Sequence, residues 1–410
     1  MFHNLLKSEG FFLNREAMRP SYMPDALPHR EKEINTLASI WVPALRGESP
    51  SNVFIYGKTG TGKTAVTKFV GQQLVKKGDE TNCEVNFVYV NCEIVDTQYR
   101  LLQNIANHFI DEWSERIPFT GWPTDEVFSK FKKMIEKNGE VTLIVLDEID
   151  KLKGDEALYN LSRINSDLRK AKVSIVGISN DLKFTEFLDP RVKSSLGEES
   201  LVFPPYDAGE LQDILMQRVK IALKPNSIKE DVVPLCSALA AQEHGDARRA
   251  LDLLRMAAEI AEREGQDKIT RNNVRFAQNK IELDRIIEVV KTLPTQSKII
   301  LFSIIILENK GDGENTKTVV TTGEVYEVYK EVCKKTGTDS LTQRRVADLI
   351  SELDMLGIIT ARVISKGRYG RTREIKTSSF YSDKIIKILK QDEIFEDFSE
   401  FKIRGQTRLI

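Results

Sequence analysis

The chain contains 410 residues, and its 60 basic and 61 acidic side chains give a formal net charge of −1 at pH 7. This length suggests two or three domains, and the balanced charge means that any affinity for nucleic acid must come from a local patch. No long apolar run, apolar leader or C-x-x-C pair occurs, so we expect no membrane partner, no signal peptide, and reduced thiols in a cytoplasmic protein.

Residues 52–205 alternate short apolar runs with helical stretches. The runs are Val53–Tyr56, Val85–Asn91, Val141–Leu146 and Val173–Ile178. Nearly continuous apolar character is typical of strands that are buried on both faces of a parallel sheet. Because helical stretches separate the runs, the pattern predicts an α/β fold.

A complete phosphate-binding pattern follows the first run. Residues 57–64 match G-x-x-x-x-G-K-[ST] and lead into a helix predicted over Ala65–Lys76. Backbone N–H groups of such a loop face phosphate oxygens, Lys63 would neutralise the outer phosphates, and Thr64 would bind Mg²⁺. The full pattern in this context disfavours an ordinary glycine-rich turn. The predicted contacts to ATP or ADP are Lys58, Gly60, Thr61, Gly62, Lys63, Thr64 and Ala65.

Polar residues at the ends of later runs supply candidate catalytic groups. Asp147 and Glu148 follow a buried strand, where ligands of open α/β sheets bind. We expect Asp147 to hold Mg²⁺ and Glu148 to polarise the attacking water. Asn180, after the next strand, would hold that water or the γ-phosphate, and Arg191 is a candidate arginine finger. Taken singly, such an Asn is more often a turn former and such an Arg a surface residue.

The next region, from Asp207 to about Leu293, has a helical pattern throughout. Asp207 can cap a helix that begins near Ala208, and Asp246 can cap a helix over Ala247–Glu264. Arg248 lies in the first turn of that second helix. The Arg248 side chain is interpreted either as a solvated charge or as a contact to the nucleotide.

Pro294 begins a third region with a different order of elements. Three predicted helices, Gln296–Leu307, Thr322–Lys335 and Leu341–Leu356, precede two short strands, Val363–Ile364 and Glu374–Lys376. Three helices followed by a β-hairpin are typical of a winged-helix domain. The predicted domains are therefore a nucleotide-binding core over residues 1–206, a helical lid over residues 207–293 and a winged helix over residues 294–410.

The predicted hairpin concentrates positive charge. Six basic residues and one acidic residue between Arg362 and Lys376 give a local net charge of +5, which suits phosphate binding. The alternative is a solvated hairpin whose charged side chains prevent its edge strands from pairing with another chain. The N-terminal end of a recognition helix meets the DNA groove. The candidate DNA-binding residues are Arg368, Tyr369 and Arg371 in the hairpin, and Thr342, Gln343, Arg344 and Arg345 on the helix.

Together these motifs resemble the AAA+ scheme of Walker A, Walker B, sensor one, arginine finger and sensor two. More specific phrases are similar to archaeal replication initiators, the homologues of the origin recognition complex large subunit and of its partner helicase loader. They are residues 22–31 (YMPDALPHRE), 177–181 (GISND), 191–195 (RVKSS) and 203–206 (FPPY), with Gln217 and Arg218. The similarity covers about residues 20–376.

The resemblance implies roles that the residues alone do not establish. Tyr206 would contact adenine, Arg218 would join the nucleotide site, and Arg248 would reach the γ-phosphate from the lid. Arg191 would act in trans on a neighbouring subunit. An additional DNA-contacting element of this clade would correspond to residues 117–124, with Trp122 as a minor-groove wedge.

The preferred interpretation is an ATP-regulated initiator, associated with the nucleoid, that hydrolyses ATP slowly as a switch. It would bind double-stranded origin DNA and help to load the replicative helicase, with other initiator paralogues as partners. The alternatives are a clamp-loader-like AAA+ ATPase and an ATP-dependent DNA-binding regulator.

Overall fold

The computed structural model describes residues 10–196, 199–309, 320–365, 371–377, 382–392 and 394–395. The chain forms two compact units that divide between Ala277 and Gln278. Within the described ranges, no helix combines the length and the apolarity that crossing a bilayer requires.

A five-stranded parallel sheet forms the centre of the first unit. Its strands are β1 (Val53–Tyr56), β2 (Val85–Asn91), β3 (Val141–Asp147), β4 (Lys172–Ser179) and β5 (Glu199–Val202). They are arranged in the order β2-β3-β4-β1-β5, and every pairing is parallel. The carboxyl ends of β1, β3 and β4 are therefore close to one another, at the edge where such sheets bind ligands.

The fifth strand was not predicted from the sequence. β5 lies at the edge of the sheet, and three of its four residues are exposed. An edge strand does not need the continuous apolar run that marks the central strands, so the pattern that located the other four strands is missing here.

Among the described residues of the first unit, seven helices pack on the two faces of this sheet. They are α1 (Glu31–Trp41), α2 (Lys63–Thr81), α3 (Gln98–Asn107), α4 (Thr124–Asn138), α5 (Glu156–Ser162), α6 (Phe184–Phe187) and α7 (Pro190–Leu196). Successive strand residues point to opposite faces. On β3, Val145 packs in the cluster with α1 and α2, whereas Ile144 packs with α3 to α5. This two-sided burial explains why the central strands are apolar throughout.

Three helices follow the core and form the lid: α8 (Ala208–Ala222), α9 (Val232–Gln242) and α10 (Ala247–Arg263). Both predicted caps are present. Asp207 forms a capping box with Glu210, and the Asp246 carboxylate accepts the N–H groups of Arg248 and Arg249 at 2.7 and 3.3 Å. A long helix, α11 (Arg271–Thr292), comes next.

The second unit has winged-helix architecture. Helices α12 (Thr295–Asn309), α13 (Thr322–Thr336) and α14 (Gln343–Met355) pack with an antiparallel sheet, and α15 (Ser382–Leu389) follows. The sheet contains β6 (Val320–Thr321), β7 (Ile359–Ser365) and β8 (Arg371–Thr377) in the order β6-β8-β7. The three predicted helices match α12 to α14. The two-residue β6 is too short to give a sequence pattern, and the hairpin strands are longer than predicted.

Candidate functional site

A cavity of about 400 Å³ lies at the carboxyl edge of the central sheet. The N-terminal segment Pro20–Pro28, the phosphate loop, the ends of β3 and β4, and the lid all contribute to its walls. All the predicted nucleotide contacts except Lys58 line this cavity: Gly60, Thr61, Gly62, Lys63, Thr64, Ala65, Tyr206, Arg218 and Arg248. Asp147, Glu148 and Asn180 line it as well.

Two glycines allow the phosphate loop to fit beneath the lid. Gly60 and Gly62 have φ values of +70° and +92°, which side chains of L-residues rarely adopt. A Cβ atom on Gly60 would lie 1.7 Å from Asp246 Oδ1, and one on Gly62 would lie 2.7 Å from the Tyr206 hydroxyl oxygen. The loop therefore needs glycine both for its own conformation and for the close approach of neighbouring side chains.

Lys63 is buried at the base of the loop, with only 6% of its surface exposed. Its ammonium donates to the carbonyl oxygens of Gly57 at 2.7 Å and Lys58 at 2.8 Å, and to Asn180 Oδ1 at 2.8 Å. Burial lowers the pKa of Lys63 from 10.5 to about 8. Lys58 thus contributes a carbonyl group to the loop, while its exposed side chain stays outside the cavity wall.

The predicted magnesium ligands are in direct contact. The Thr64 hydroxyl donates to Asp147 Oδ2 at 2.7 Å, and the Tyr89 hydroxyl donates to the same oxygen at 2.6 Å. Hydroxyl and carboxylate oxygens are the hard ligands that Mg²⁺ prefers, so these residues fit the ion. The sequence did not single out Tyr89, because an aromatic residue within a strand is ordinarily a core residue.

Glu148 adopts the left-handed conformation, with φ of +53°. Such a backbone is uncommon for residues other than glycine and is concentrated at functional sites. Burial, followed by the neighbouring Glu93 carboxylate, raises the pKa of Glu148. Asp150 instead accepts a hydrogen bond from Ser179 at 3.0 Å, which is a structural role.

Two buried arginines, Arg218 and Arg30, connect chain segments around the cavity. Arg218 donates to the carbonyl oxygens of Ala17 at 3.3 Å and Tyr22 at 3.1 Å. Arg30, which the sequence analysis did not select, donates to Thr61 and Pro204 carbonyl oxygens, and its guanidinium lies 3.8 Å from the centre of the Tyr206 ring. Arg30 therefore connects the phosphate loop with the start of the lid.

The lid also contacts the phosphate loop through its backbone. The N–H of Ala247 donates to the Gly60 carbonyl oxygen at 3.1 Å, and the N–H of Tyr206 donates to the Gly245 carbonyl oxygen at 3.2 Å. The positive charge of Arg248 is close enough to lower the pKa of Lys63, after the larger effect of burial. Arg248 thus lies at the phosphate end of the cavity.

Arg191 lies away from the cavity of its own chain. Its side chain is 72% exposed, forms an ion pair with Asp189 at 2.9 Å, and lies 5.2 Å from the centre of the Tyr159 ring. It is absent from the cavity wall. Its role in trans stays a prediction.

In the second unit, the predicted recognition helix presents its polar end to solvent. Gln343, Arg344 and Arg345 are exposed in the first turn of α14. The Thr342 hydroxyl accepts the N–H of Arg345 at 3.4 Å, so Thr342 caps the helix. This capping role is a use of the hydroxyl that the sequence analysis did not anticipate.

The hairpin tip that carries Arg368 and Tyr369 lies outside the described residues, and Arg371 is the first residue of β8. Two of the remaining basic residues have protein partners. Arg373 donates to the Ala347 carbonyl oxygen at 2.8 Å and to the Ser351 hydroxyl at 2.5 Å, which joins β8 to α14. Lys376 pairs with Glu374 at 2.6 Å. Glu374 is already subtracted in the local charge of +5, so of these two residues only Arg373, whose donors contact α14, lowers the number of cations available to phosphate further.

Trp122 is half-buried in the first unit, and its role as a minor-groove wedge stays a prediction. Its ring packs against the core of the first unit, and the Lys130 ammonium lies 5.0 Å from the ring centre. Trp113 and Phe119 are instead exposed at 79% and 71%. Packing explains the difference, because Trp122 lies two residues before the start of α4 and packs against the apolar cluster of the core.

Three family models match the chain. The AAA ATPase domain matches residues 26–175, the Cdc6 AAA+ ATPase-type lid domain matches residues 212–279, and the CDC6 C-terminal winged helix domain matches residues 288–384. These matches support the expected order of an AAA+ core, a helical lid and a winged helix.

Similar proteins cover almost the whole chain. ORC1-type DNA replication protein 1 of Methanosarcina mazei is 60% identical over 98% of this chain and 96% of that protein. The ORC1-type DNA replication protein of Pyrococcus abyssi is 55% identical over 100% of this chain and 97% of that protein. The solved structure of the Aeropyrum pernix ORC1 protein in complex with DNA is 46% identical, with a TM-score of 0.73, covering 95% of this chain and 99% of that chain.

Proposed function

The chain belongs to the archaeal ORC1/Cdc6 family of DNA replication initiators, and on that premise we propose that it is an ATP-regulated, origin-binding initiator. The cavity is the observation that supports nucleotide binding most directly. It brings Lys63, Thr64 and Asp147 of the core together with Arg248 of the lid. A ligand that contacts both parts would make the position of the lid depend on the nucleotide.

ATP or ADP with Mg²⁺ fits this cavity. The Lys63 ammonium would exchange its carbonyl partners for phosphate oxygens, and Arg248 would approach the terminal phosphate from the lid. Arg218 lines the cavity while its guanidinium donates to the Ala17 and Tyr22 carbonyl oxygens, so it would hold the N-terminal segment against the nucleotide. Thr64 and Asp147 would hold Mg²⁺, which neutralises phosphate charge.

Hydrolysis by a single chain should be slow. Glu148 and Asn180 would orient the attacking water, but Arg191 does not line this cavity and is instead exposed and paired with Asp189. Because an arginine finger contributes a large part of the rate in related phosphoryl-transfer enzymes, a chain without one in place would keep its nucleotide for a long time. The bound nucleotide would then act as a switch.

The DNA-binding part of the proposal rests on exposed cations of the winged helix. Arg344 and Arg345 lie at the exposed end of α14, and Arg362 is exposed on β7. The similar Aeropyrum pernix ORC1 protein was solved in complex with DNA. We propose that this chain likewise binds double-stranded origin DNA, and that it acts in the nucleoid with the replicative helicase and other initiator paralogues.

The salt dependence of DNA binding tests this assignment. Each phosphate contact that is lost should reduce the log–log slope of affinity against salt by about 0.9. We expect Arg344→Ala with Arg362→Ala to weaken duplex binding and reduce the slope by about 1 to 2. Lys330→Ala is the matched control, because Lys330 is paired with Glu327 on α13.

A parental slope in the double variant would reject the winged helix as the phosphate-binding element. Comparison of ATP-bound and ADP-bound protein in the same assay tests regulation, and equal affinities and equal footprints would reject the switch. Co-purification of the helicase with the DNA-bound protein tests the loading role, and its absence in both nucleotide states would reject that role.

A further inference from the structure

The Asp147 carboxylate is held by three donors from three parts of the core. Oδ2 accepts from the Thr64 hydroxyl at 2.7 Å and from the Tyr89 hydroxyl at 2.6 Å, and Oδ1 accepts from the N–H of Glu148 at 3.0 Å. Asp147 as a whole is 5% exposed. Of the two side-chain donors, Thr64 is itself a predicted magnesium ligand, whereas Tyr89 is not.

A neighbouring strand and a neighbouring helix both constrain the Tyr89 ring. Tyr89 pairs with Val145 in the β2–β3 register, two residues before Asp147 on the adjacent strand. The ammonium of Lys68, one helical turn after Thr64, lies 3.6 Å from the centre of the ring. The hydroxyl therefore reaches the carboxylate from a ring that a strand and a helix both constrain.

We propose that Tyr89 is a positioning residue for the magnesium ligand Asp147. Its hydroxyl occupies one acceptor site of Oδ2 and so fixes the rotation of the carboxylate, leaving the remaining lone pairs directed towards the ion beside Thr64. Outer partners of this kind orient the ligands that contact a metal, and their loss weakens metal binding. The inference rests on the proposed binding of nucleotide with Mg²⁺.

Removing only the hydroxyl separates positioning from packing. The ring of Tyr89 packs against the cluster beneath α1 and α2, and Tyr89→Phe keeps that ring and its contact with Lys68. Tyr99→Phe is the matched control. It deletes a hydroxyl that donates to the Pro118 carbonyl oxygen at 2.9 Å, at a place that does not line the cavity.

The experiment measures ADP affinity by calorimetry, once in EDTA and once in saturating Mg²⁺. The ratio of the two dissociation constants reports how strongly the metal is coupled to the site. For Tyr89→Phe we expect the advantage given by Mg²⁺ to fall about tenfold, with ADP affinity in EDTA unchanged. Tyr99→Phe should keep the parental ratio. Electron paramagnetic resonance of Mn²⁺ bound to the ADP complex gives a direct second readout, in which the variant should bind Mn²⁺ more weakly.

Each other outcome overturns part of the account. A parental ratio and parental Mn²⁺ affinity in Tyr89→Phe would reject the positioning role while leaving the nucleotide site intact. Equal losses in EDTA and in Mg²⁺ would show that the hydroxyl supports the fold or the loop, not the metal ligand. If the parent itself binds ADP equally well in EDTA and in Mg²⁺, the proposed magnesium site and this inference both fail.

Discussion

Nucleotide affinity should fall as the pH rises from 7 to 9, because the cation that faces the phosphates loses its proton in that range. Burial lowers the pKa of Lys63 to about 8 in the nucleotide-free protein. Phosphates beside the ammonium would raise the pKa again, since an opposite charge favours the charged form. Binding must therefore take up a proton wherever the free lysine is neutral, and the affinity is highest below the lowered pKa.

The size of the effect follows from the pKa of about 8. The lysine is about nine-tenths charged at pH 7 and about one-tenth charged at pH 9. If only the charged form binds well, the dissociation constant rises about tenfold between these two pH values. A terminal phosphate loses its second proton near pH 6, so the charge of the nucleotide changes little over the same interval.

Calorimetric titration with ADP at several pH values, in buffers of different ionisation enthalpy, measures both affinity and proton uptake. We expect little uptake at pH 7 and close to one proton per site at pH 9. Lys63→Arg serves as the control, because a guanidinium stays charged throughout this range. A constant affinity with no proton uptake in the parent would refute the explanation from the burial of Lys63.

Three further predictions concern other contacts. Gly60→Ala should weaken nucleotide binding measured by calorimetry, since the new Cβ would lie 1.7 Å from Asp246 Oδ1. Parental affinity in this variant would show that nucleotide binding does not depend on the close approach of Asp246 to Gly60. Arg373→Met should lower the stability of the winged helix by about 1 to 3 kcal/mol in denaturant unfolding, because two hydrogen bonds to α14 are lost; an unchanged midpoint would contradict this. Within the predicted DNA-contacting element of residues 117–124, Phe119 is 71% exposed whereas Trp122 packs against the core. Phe119→Ala should therefore reduce DNA bending measured by fluorescence energy transfer without affecting stability, whereas Trp122→Ala should lower the melting temperature; the reverse pattern would reject Phe119 as an aromatic that contacts DNA.

The elements with strong periodic patterns were predictable from the sequence. The buried strands β1 to β4 and the helices α12 to α14 agree with their apolar patterns, because burial on one or both faces imposes a regular sequence. β5 and β6 were missed for physical reasons. One is an exposed edge strand and the other contains two residues, so neither requires a recognisable run.

The phosphate site was predictable for a similar reason, because the glycine spacing and Lys63 are local requirements of one loop. The partners of that loop come from distant parts of the chain and leave no local pattern. Arg30 reaches Thr61 and Pro204 only after folding, and Tyr89 reaches Asp147 across adjacent strands. The packing of Trp122 against the core likewise leaves no local pattern, because its apolar neighbours come from other elements of the fold.

The central claim, that this chain is a nucleotide-switched origin-binding protein, is tested most directly by mapping its binding to fragmented genomic DNA in ATP and in ADP. We predict a small number of sharp peaks beside a replication start, whose occupancy differs between the two nucleotides. Binding that is dispersed along the genome and identical in ATP and ADP would contradict the account.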